Sequence, residues 1–284
     1  MEIDVFHIGP QKSATTWVYK CLKEHNEVLV PNNDSIHYYD MYFNNGKEWY
    51  ASFFQKQNSK KIVIDPTPSY IRSPWAPRRI ADDYPKAKFI VCLRHPIDRA
   101  FSHYWHEKKK QKIAFEFSEV LENYDLYSSW IEPGLYAEHI ERYLQYFNED
   151  QFLFLDFRDL KKDPENYLKS ILSFLEVDKN FKPSFLDKKV NIASGKQTPI
   201  NQGWLHLKTS LRDSFIGGGL RKLNLDIVAR KLEQTPYLGK ILKDKDEYEK
   251  GISPELRSEL LEMIEPEIQR LEKLIGWDLV HWRK

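Results

Sequence analysis

The chain has 284 residues, 41% of them hydrophobic, which is enough for a single domain over residues 1–284. Its 43 basic and 42 acidic side chains leave a net charge of +1, so the composition excludes bulk attraction to nucleic acid or to an anionic membrane. Two cysteines in apolar runs indicate buried thiols, and no apolar run is long enough for a transmembrane helix. The first strand is predicted within a few residues of Met1, so we expect no signal peptide and a soluble, cytoplasmic protein.

The first elements are predicted within residues 5–22. Residues 5–8 indicate a short buried strand, Gly9-Pro10 breaks it, and apolar residues recur at helical spacing from Thr15. The loop between them carries Lys12 and several hydroxyls. Such a loop presents backbone N–H groups and a helix N-terminus to an anion, and it suits phosphate. It is not a Walker A loop, which needs Gly, four residues and then Gly-Lys-Ser/Thr. An ordinary strand-to-helix turn with a surface lysine is the alternative.

The rest of the chain alternates strands with helices. Strands are predicted at 27–31, 61–65, 87–93 and 151–155, and helices near 49–54, 76–84, 97–104, 135–147, 163–175 and 253–275. This alternation predicts an α/β fold with a central parallel sheet, a nucleotide-binding core over 1–180 and a mostly helical C-terminal part over 181–284. Because ligands bind beyond the carboxyl ends of such strands, we expect one shared site at the Lys12 loop, residues 66–70 and Arg94.

A second signature follows the predicted strand at 87–93. Arg94 stands at the end of this strand, and Ser102 lies about two turns into the next predicted helix. An arginine fork with a hydroxyl nearby suits a phosphate monoester. The alternative is that Arg94 and Arg99 form salt bridges at an exposed helix start.

Both signatures resemble those of sulfotransferases that use 3′-phosphoadenosine 5′-phosphosulfate (PAPS). The segment Lys12-Ser13-Ala14-Thr15-Thr16-Trp17 is similar to the 5′-phosphosulfate loop of that family, with Ala14 where the family has glycine. Arg94 with Ser102 matches its 3′-phosphate motif. Further stretches resemble the heparan sulfate and bacterial branch of the family: residues 67–70, 74–80, 134–137, 174–177 and 276–282.

The resemblance implies a P-loop-like three-layer fold, with helices on both faces of the sheet, and PAPS as co-substrate with no metal required. The residues that it implies as nucleotide ligands are Lys12, Ser13, Ala14, Thr15, Thr16, Trp17, Arg94 and Ser102. Lys12 is also expected to stabilise the negative charge that grows on the leaving phosphate. Trp17 packs either on the adenine or in the core. Lys196 is expected either to close over the nucleotide as part of a loop or to be an ordinary solvated lysine.

The resemblance is incomplete at the positions where the family binds its acceptor. Members of this branch often carry a catalytic glutamate before a His-aromatic-aromatic-Asp segment, whereas Asp34-Ser35 precedes that segment, residues 36–40, in this chain. A lysine that often precedes Thr-Pro-Ser-Tyr is Pro66 here. We therefore expect His37 to be the general base, because imidazole exchanges protons near neutral pH, with Asp40 orienting its ring and Asp34 as the second candidate. The alternative is a purely structural loop histidine.

We predict a sulfotransferase that moves a sulfuryl group from PAPS to a hydroxyl or amine of a carbohydrate or small-molecule acceptor. Two alternatives stay open: a nucleotide kinase or other P-loop-like NTPase, with Asp65 holding magnesium, and a nucleotide-binding relative without catalysis. Five aromatic residues either line the acceptor site or belong to the core: Tyr38, Tyr39, Tyr70, Trp75 and Trp130. Acceptor identity and oligomeric state are not predicted.

Overall fold

A five-stranded parallel sheet organises the fold in a computed structural model, which describes residues 2–54, 62–109, 115–186 and 251–283. The strands are β1 (Val5–Gly9), β2 (Val28–Leu29), β3 (Ile62–Asp65), β4 (Lys88–Leu93) and β5 (Phe152–Asp156). Their order across the sheet is β2-β3-β1-β4-β5, and each neighbouring pair is parallel. The predicted strands are confirmed, although the second is shorter than its apolar run suggests.

Helices connect the strands along the chain. They are α1 (Thr15–Lys23), α2 (Gly46–Ala51), α3 (Ala76–Asp83), α4 (Pro96–Lys109), α5 (Tyr124–Leu126), α6 (Tyr136–Leu144), α7 (Phe157–Lys162), α8 (Pro164–Phe174) and α9 (Pro254–Ile275). The start of α8 shows why such sequences are helical: the Asp163 side chain accepts a hydrogen bond from the Asn166 N–H, and Pro164 occupies the first turn. Gly276, with φ +69°, follows the last residue of α9.

The two faces of the sheet carry different cores. On one face, Val5 and Cys92 pack in an aliphatic cluster with residues of α1 and α8. On the other, the ring of Phe6 contacts the rings of Tyr39, Tyr70 and Phe89 at centroid distances of 5.7, 6.3 and 6.0 Å. This arrangement of helices, sheet and a second packed layer confirms the predicted α/β architecture.

The strand order brings three loops to one edge of the sheet. Since β1 lies between β3 and β4, the loops that follow these three strands are neighbours at their carboxyl ends, where ligands of such sheets bind. Gly9 shows how close they come: a Cβ added there would lie 2.3 Å from the carbonyl oxygen of Pro68. Gly9 also has φ +101°, a region that side chains disfavour.

The described residues belong mainly to one compact unit, made of residues 1–190 together with 254–284. Within it, α9 lies beside α6, and the Glu267 carboxylate accepts a hydrogen bond from the Glu138 N–H. Among the residues that the structure describes, none of the helices has the length and apolar character needed to cross a bilayer. The division into a core over 1–180 and a helical part over 181–284 stays a prediction, because residues 187–250 lie outside the described ranges.

Candidate active site

The Lys12 loop, residues 9–14, joins β1 to α1. Lys12 and Ala14 both have left-handed backbones, with φ +72° and +67°, and the Ala14 carbonyl accepts hydrogen bonds from the N–H groups of Trp17 and Val18. The first N–H groups of a helix have no acceptor within the helix, and the first turn of α1 carries no acidic side chain. The loop therefore offers an anion both a helix N-terminus and the charge of Lys12.

Arg94 lies at the end of β4 and contacts the Lys12 loop directly. Its Nη1 donates a hydrogen bond of 2.9 Å to the Lys12 carbonyl, and its guanidinium carbon lies 4.9 Å from the centre of the Phe157 ring. The Tyr136 hydroxyl donates to the Arg94 carbonyl at 2.8 Å. The two predicted nucleotide signatures, 82 residues apart, thus meet at one place.

Three polar residues of α4 lie within two turns of one another behind this meeting point. Ser102 is buried, and so is Arg99, whose Nη2 donates to the Trp130 carbonyl. Arg99 Nε and Nη1 and His103 Nδ1 are buried without a hydrogen-bond partner among the described residues. Burial lowers the pKa of Arg99 to about 10 and, with help from nearby Arg99 and Lys12, that of His103 to about 3.

The protonation states that follow make this region electropositive. Arg99 stays charged at neutral pH and His103 stays neutral, because their pKa values lie on opposite sides of 7. The positive charge of Arg99 is therefore buried close to that of Arg94, which itself helps to lower the pKa of Arg99. A buried cation with unfilled donors is stabilised by an anion bound nearby.

His37 lies in a hydrogen-bonded cluster with Asp40 and Ser69, which we call the His37 cluster. His37 Nδ1 lies 3.2 Å from Asp40 Oδ2 and 3.0 Å from Ser69 Oγ, and Ser69 Oγ donates to Asp40 Oδ2 at 2.5 Å. Burial raises the pKa of Asp40, but the hydrogen bonds from His37 and Ser69 outweigh burial and leave this pKa below its usual value. The carboxylate is therefore ionised and accepts both hydrogens.

These hydrogen bonds determine which ring nitrogen of His37 carries the hydrogen. With Nδ1 as the donor to Asp40 and Ser69, the lone pair of the neutral tautomer is on Nε2. His37 itself is half-buried and has φ +59°. Ser69 follows Pro68, the residue that touches Gly9, so the cluster adjoins the Lys12 loop.

The other predicted site residues fall in different places. Asp34 is exposed, and its carbonyl accepts from the Ser35 hydroxyl at 2.7 Å. Trp17 is buried in the core beside Tyr167, with ring centres 6.0 Å apart. Lys196 lies outside the described residues. The remaining members of the loop signature stand together at the start of α1: Ser13, which is buried, and Thr15 and Thr16, which are partly exposed.

The structure decides between core and surface for the five aromatic candidates. Four of them are buried at 3% exposure or less: Tyr38, Tyr39, Tyr70 and Trp130. Trp75 is 63% exposed, and the guanidinium carbon of Arg79 lies 5.9 Å from its ring centre. Arg79 also donates to the Tyr39 carbonyl, one residue before Asp40, and so links the Trp75 ring to the segment that carries the His37 cluster.

The sequence includes Ser69 in the expected site only as one of residues 66–70, without a role of its own, and it does not predict that Arg99 is buried there. Ser69 had a signal, since it belongs to the Thr-Pro-Ser-Tyr stretch at a strand end, but its contact with His37 spans 32 residues. For Arg99 the sequence offers only the alternative of a salt bridge at an exposed helix start. Its burial depends on α4 packing against the segment that holds Trp130 and Gly134, a contact that the local sequence does not reveal.

A family model described as a sulfotransferase domain matches residues 2–213. Bifunctional heparan sulfate N-deacetylase/N-sulfotransferase 1 of Xenopus laevis is 32% identical in an alignment of length 189, and the match covers 60% of this chain and 22% of that protein. Heparan sulfate glucosamine 3-O-sulfotransferase 6 of Homo sapiens is 31% identical in an alignment of length 184, and the match covers 61% of this chain and 54% of that protein. The matched parts therefore cover between about a fifth and about half the length of these curated relatives.

A solved structure supports the fold. The sulfotransferase from Alicyclobacillus acidocaldarius matches with a TM-score of 0.72, and the match covers 100% of both chains at 20% sequence identity. At that identity the likeness concerns the fold alone.

Proposed function

The chain belongs to the family of sulfotransferase domains, and from that premise we propose that it transfers a sulfuryl group from PAPS to a carbohydrate acceptor. The observation that carries the proposal is the meeting of the Lys12 loop, Arg94 and the His37 cluster at one edge of the sheet. An anion-binding loop beside a proton acceptor is what sulfuryl transfer to a hydroxyl or amine needs.

We assign the donor nucleotide to the electropositive side of this edge. The Lys12 loop would take the 5′-phosphosulfate at the N-terminus of α1, through Lys12 and the backbone and hydroxyl groups of residues 13–16. Arg94 and Ser102 would take the 3′-phosphate, and the buried charge of Arg99 supports both anions through space. The scheme requires no metal.

The proposed reaction is an in-line displacement at sulfur. The acceptor oxygen or nitrogen forms a bond to sulfur while the bond from sulfur to the 5′-phosphate oxygen breaks, and adenosine 3′,5′-bisphosphate leaves. His37 Nε2 takes the proton that the acceptor loses, and Asp40 stabilises the imidazolium. Lys12 stabilises the charge that appears on the leaving phosphate, so its largest contribution comes in the transition state.

A carbohydrate acceptor is supported by the relatives and by one surface feature. The two relatives compared above are named for heparan sulfate: one is an N-sulfotransferase and the other a glucosamine 3-O-sulfotransferase. Trp75 exposes its ring and is linked through Arg79 to the segment that carries His37, and exposed aromatic faces of this kind can pack on sugar rings. A small-molecule acceptor is the alternative outcome of the test.

The test is a transfer assay with radiolabelled PAPS. We would offer N-deacetylated heparosan, N-sulfated heparosan and p-nitrophenol separately, and follow the label into each acceptor. Label in either polysaccharide supports the proposal, and comparison of the two distinguishes an amine from a hydroxyl acceptor. Label in p-nitrophenol alone would indicate a small-molecule acceptor instead of a carbohydrate. Tight nucleotide binding with no transfer to any acceptor would favour a nucleotide-binding relative without catalysis.

An NTPase is disfavoured by the position of Asp65. Its carboxylate is fully buried and accepts hydrogen bonds from the hydroxyls of Thr67, Tyr50 and Tyr70. Both oxygens are thus engaged inside the fold, whereas a magnesium ligand beside phosphates has to face the nucleotide.

A further inference from the structure

A buried carboxylate underlies the loop that carries His37. Asp65 ends β3 and is 0% exposed. Its Oδ1 accepts from Thr67 Oγ1 at 2.5 Å, and its Oδ2 accepts from the hydroxyls of Tyr50 at 2.7 Å and Tyr70 at 3.1 Å. These three bonds come from neutral hydroxyls. A carboxylate buried in this way is retained against a desolvation penalty, which calls for an explanation.

The same hydroxyls hold the backbone on both sides of His37. Thr67 Oγ1 accepts from the Ile36 N–H at 3.0 Å, and the Tyr70 hydroxyl accepts from the N–H groups of Tyr38 at 2.9 Å and Tyr39 at 3.2 Å. These contacts are all buried. His37 between them has φ +59°, a backbone region that is disfavoured for a residue with a Cβ and therefore has to be fixed from outside.

The carboxylate determines which way the hydroxyls point. A hydroxyl has one hydrogen and two lone pairs, so one that donates to Asp65 presents its lone pairs to the amides. Chains of hydrogen bonds of this kind polarise and strengthen one another. An amide in place of the carboxylate would carry an N–H₂ group toward Thr67 or toward both tyrosines, and would reverse the hydroxyls that it meets.

We propose that Asp65 is a positioning residue for His37, acting through the hydroxyls of Thr67 and Tyr70 on the amides of residues 36, 38 and 39. This inference rests on the proposed role of His37 as general base. Asp65 touches no substrate in this account. It holds the loop in the backbone conformation in which the imidazole contacts both Asp40 and Ser69.

The variants that test this inference remove one hydroxyl at a time. Thr67→Val and Tyr70→Phe keep the side-chain shape but lose the acceptors of the loop amides, and Thr67→Ser restores the hydroxyl. Tyr50→Phe is the matched control, since its hydroxyl donates to Asp65, whereas the amides of residues 36, 38 and 39 donate to the hydroxyls of Thr67 and Tyr70. Each variant would be compared with the wild type for urea unfolding, amide hydrogen exchange, binding of adenosine 3′,5′-bisphosphate and turnover of PAPS with N-deacetylated heparosan.

We expect amide protection to fall at Ile36 in Thr67→Val, and at Tyr38 and Tyr39 in Tyr70→Phe. Turnover should fall about tenfold or more in both, with nucleotide affinity within about twofold of wild type. Tyr50→Phe should lower kcat by about threefold at most, and Thr67→Ser should recover most of the turnover. Should Tyr70→Phe fail to fold, the pair Thr67→Val and Thr67→Ser gives the same comparison.

A double-mutant cycle separates this inference from the proposed function. If the network acts through His37, Tyr70→Phe should cause no further loss of kcat in a His37→Ala background. Equal losses of kcat in Tyr70→Phe and Tyr50→Phe, or full additivity with His37→Ala, would overturn the positioning role. Retention of turnover by His37→Ala alone would instead overturn the proposed base, while the exchange data would still report whether the network holds the loop.

Discussion

Asp40→Asn is the perturbation that isolates proton transfer from nucleotide binding. Asp40 accepts from His37 Nδ1, Ser69 Oγ and the Met41 N–H, the last at 2.8 Å. An amide that turns its N–H₂ toward His37 would make Nδ1 the acceptor and move the ring hydrogen to Nε2, which then has no lone pair for the acceptor's proton. The imidazolium also loses its carboxylate partner.

The expected loss follows from the hydrogen bond that disappears. A hydrogen bond to a charged group contributes about 1.5–3 kcal/mol, and about 1.4 kcal/mol corresponds to tenfold in rate. We therefore expect kcat for sulfuryl transfer to fall about 10- to 150-fold, with the affinity for adenosine 3′,5′-bisphosphate unchanged. Asp82→Asn, which removes a surface partner of Arg78 on α3, is the matched control. A kcat within about twofold of wild type, or a parallel loss of nucleotide affinity, would refute the reasoning.

Three further predictions concern charge. Lys12→Ala should lower kcat by a larger factor than it weakens PAPS binding, as measured by single-turnover kinetics and calorimetry. Much weaker binding with a near-normal kcat would mean that Lys12 only binds the nucleotide. Arg99→Met should reduce the rise in Tm that adenosine 3′,5′-bisphosphate causes, whereas the surface variant Arg270→Met should not. An equal rise in Tm in the two variants would contradict the role of the buried Arg99 charge in holding the nucleotide. Burial raises the folded-state pKa of Asp65 to about 6, against about 3.9 in the unfolded chain. As pH rises from about 4 to about 6 the unfolded chain loses this proton first, so the free energy of unfolding of the wild type should fall by up to about 3 kcal/mol relative to that of Asp65→Asn. A difference between the two proteins that stays constant with pH in urea unfolding would contradict this.

The local elements were predictable because their signals are local. The break at Gly9-Pro10, the Asp163 cap and the stop at Gly276 each depend on residues within one turn, and the structure confirms the helices and strands that they bound. The meeting of the Lys12 loop with Arg94 was also predictable, since both follow strands of a parallel sheet.

The contacts that define the His37 cluster could not be predicted in the same way. The hydrogen bonds of Ser69 to His37 and of Thr67 to the Ile36 amide join segments about thirty residues apart, and they depend on how the loop after β3 lies against residues 36–40. Composition also cannot separate Tyr38 from Trp75, because both are aromatic residues near the site. The structure places Tyr38 in the core, against the rings of Tyr39 and Tyr50, and leaves Trp75 exposed.

The central claim, that this edge of the sheet holds a 3′-phosphorylated adenine nucleotide, is tested most directly by comparing two ligands in calorimetry. Adenosine 3′,5′-bisphosphate and adenosine 5′-monophosphate differ by the one phosphate that Arg94 and Ser102 are proposed to bind. Loss of a buried charge-assisted pair costs about 2–5 kcal/mol, so we predict that the bisphosphate binds at least about 30-fold more tightly. Equal affinities for the two nucleotides would contradict the account.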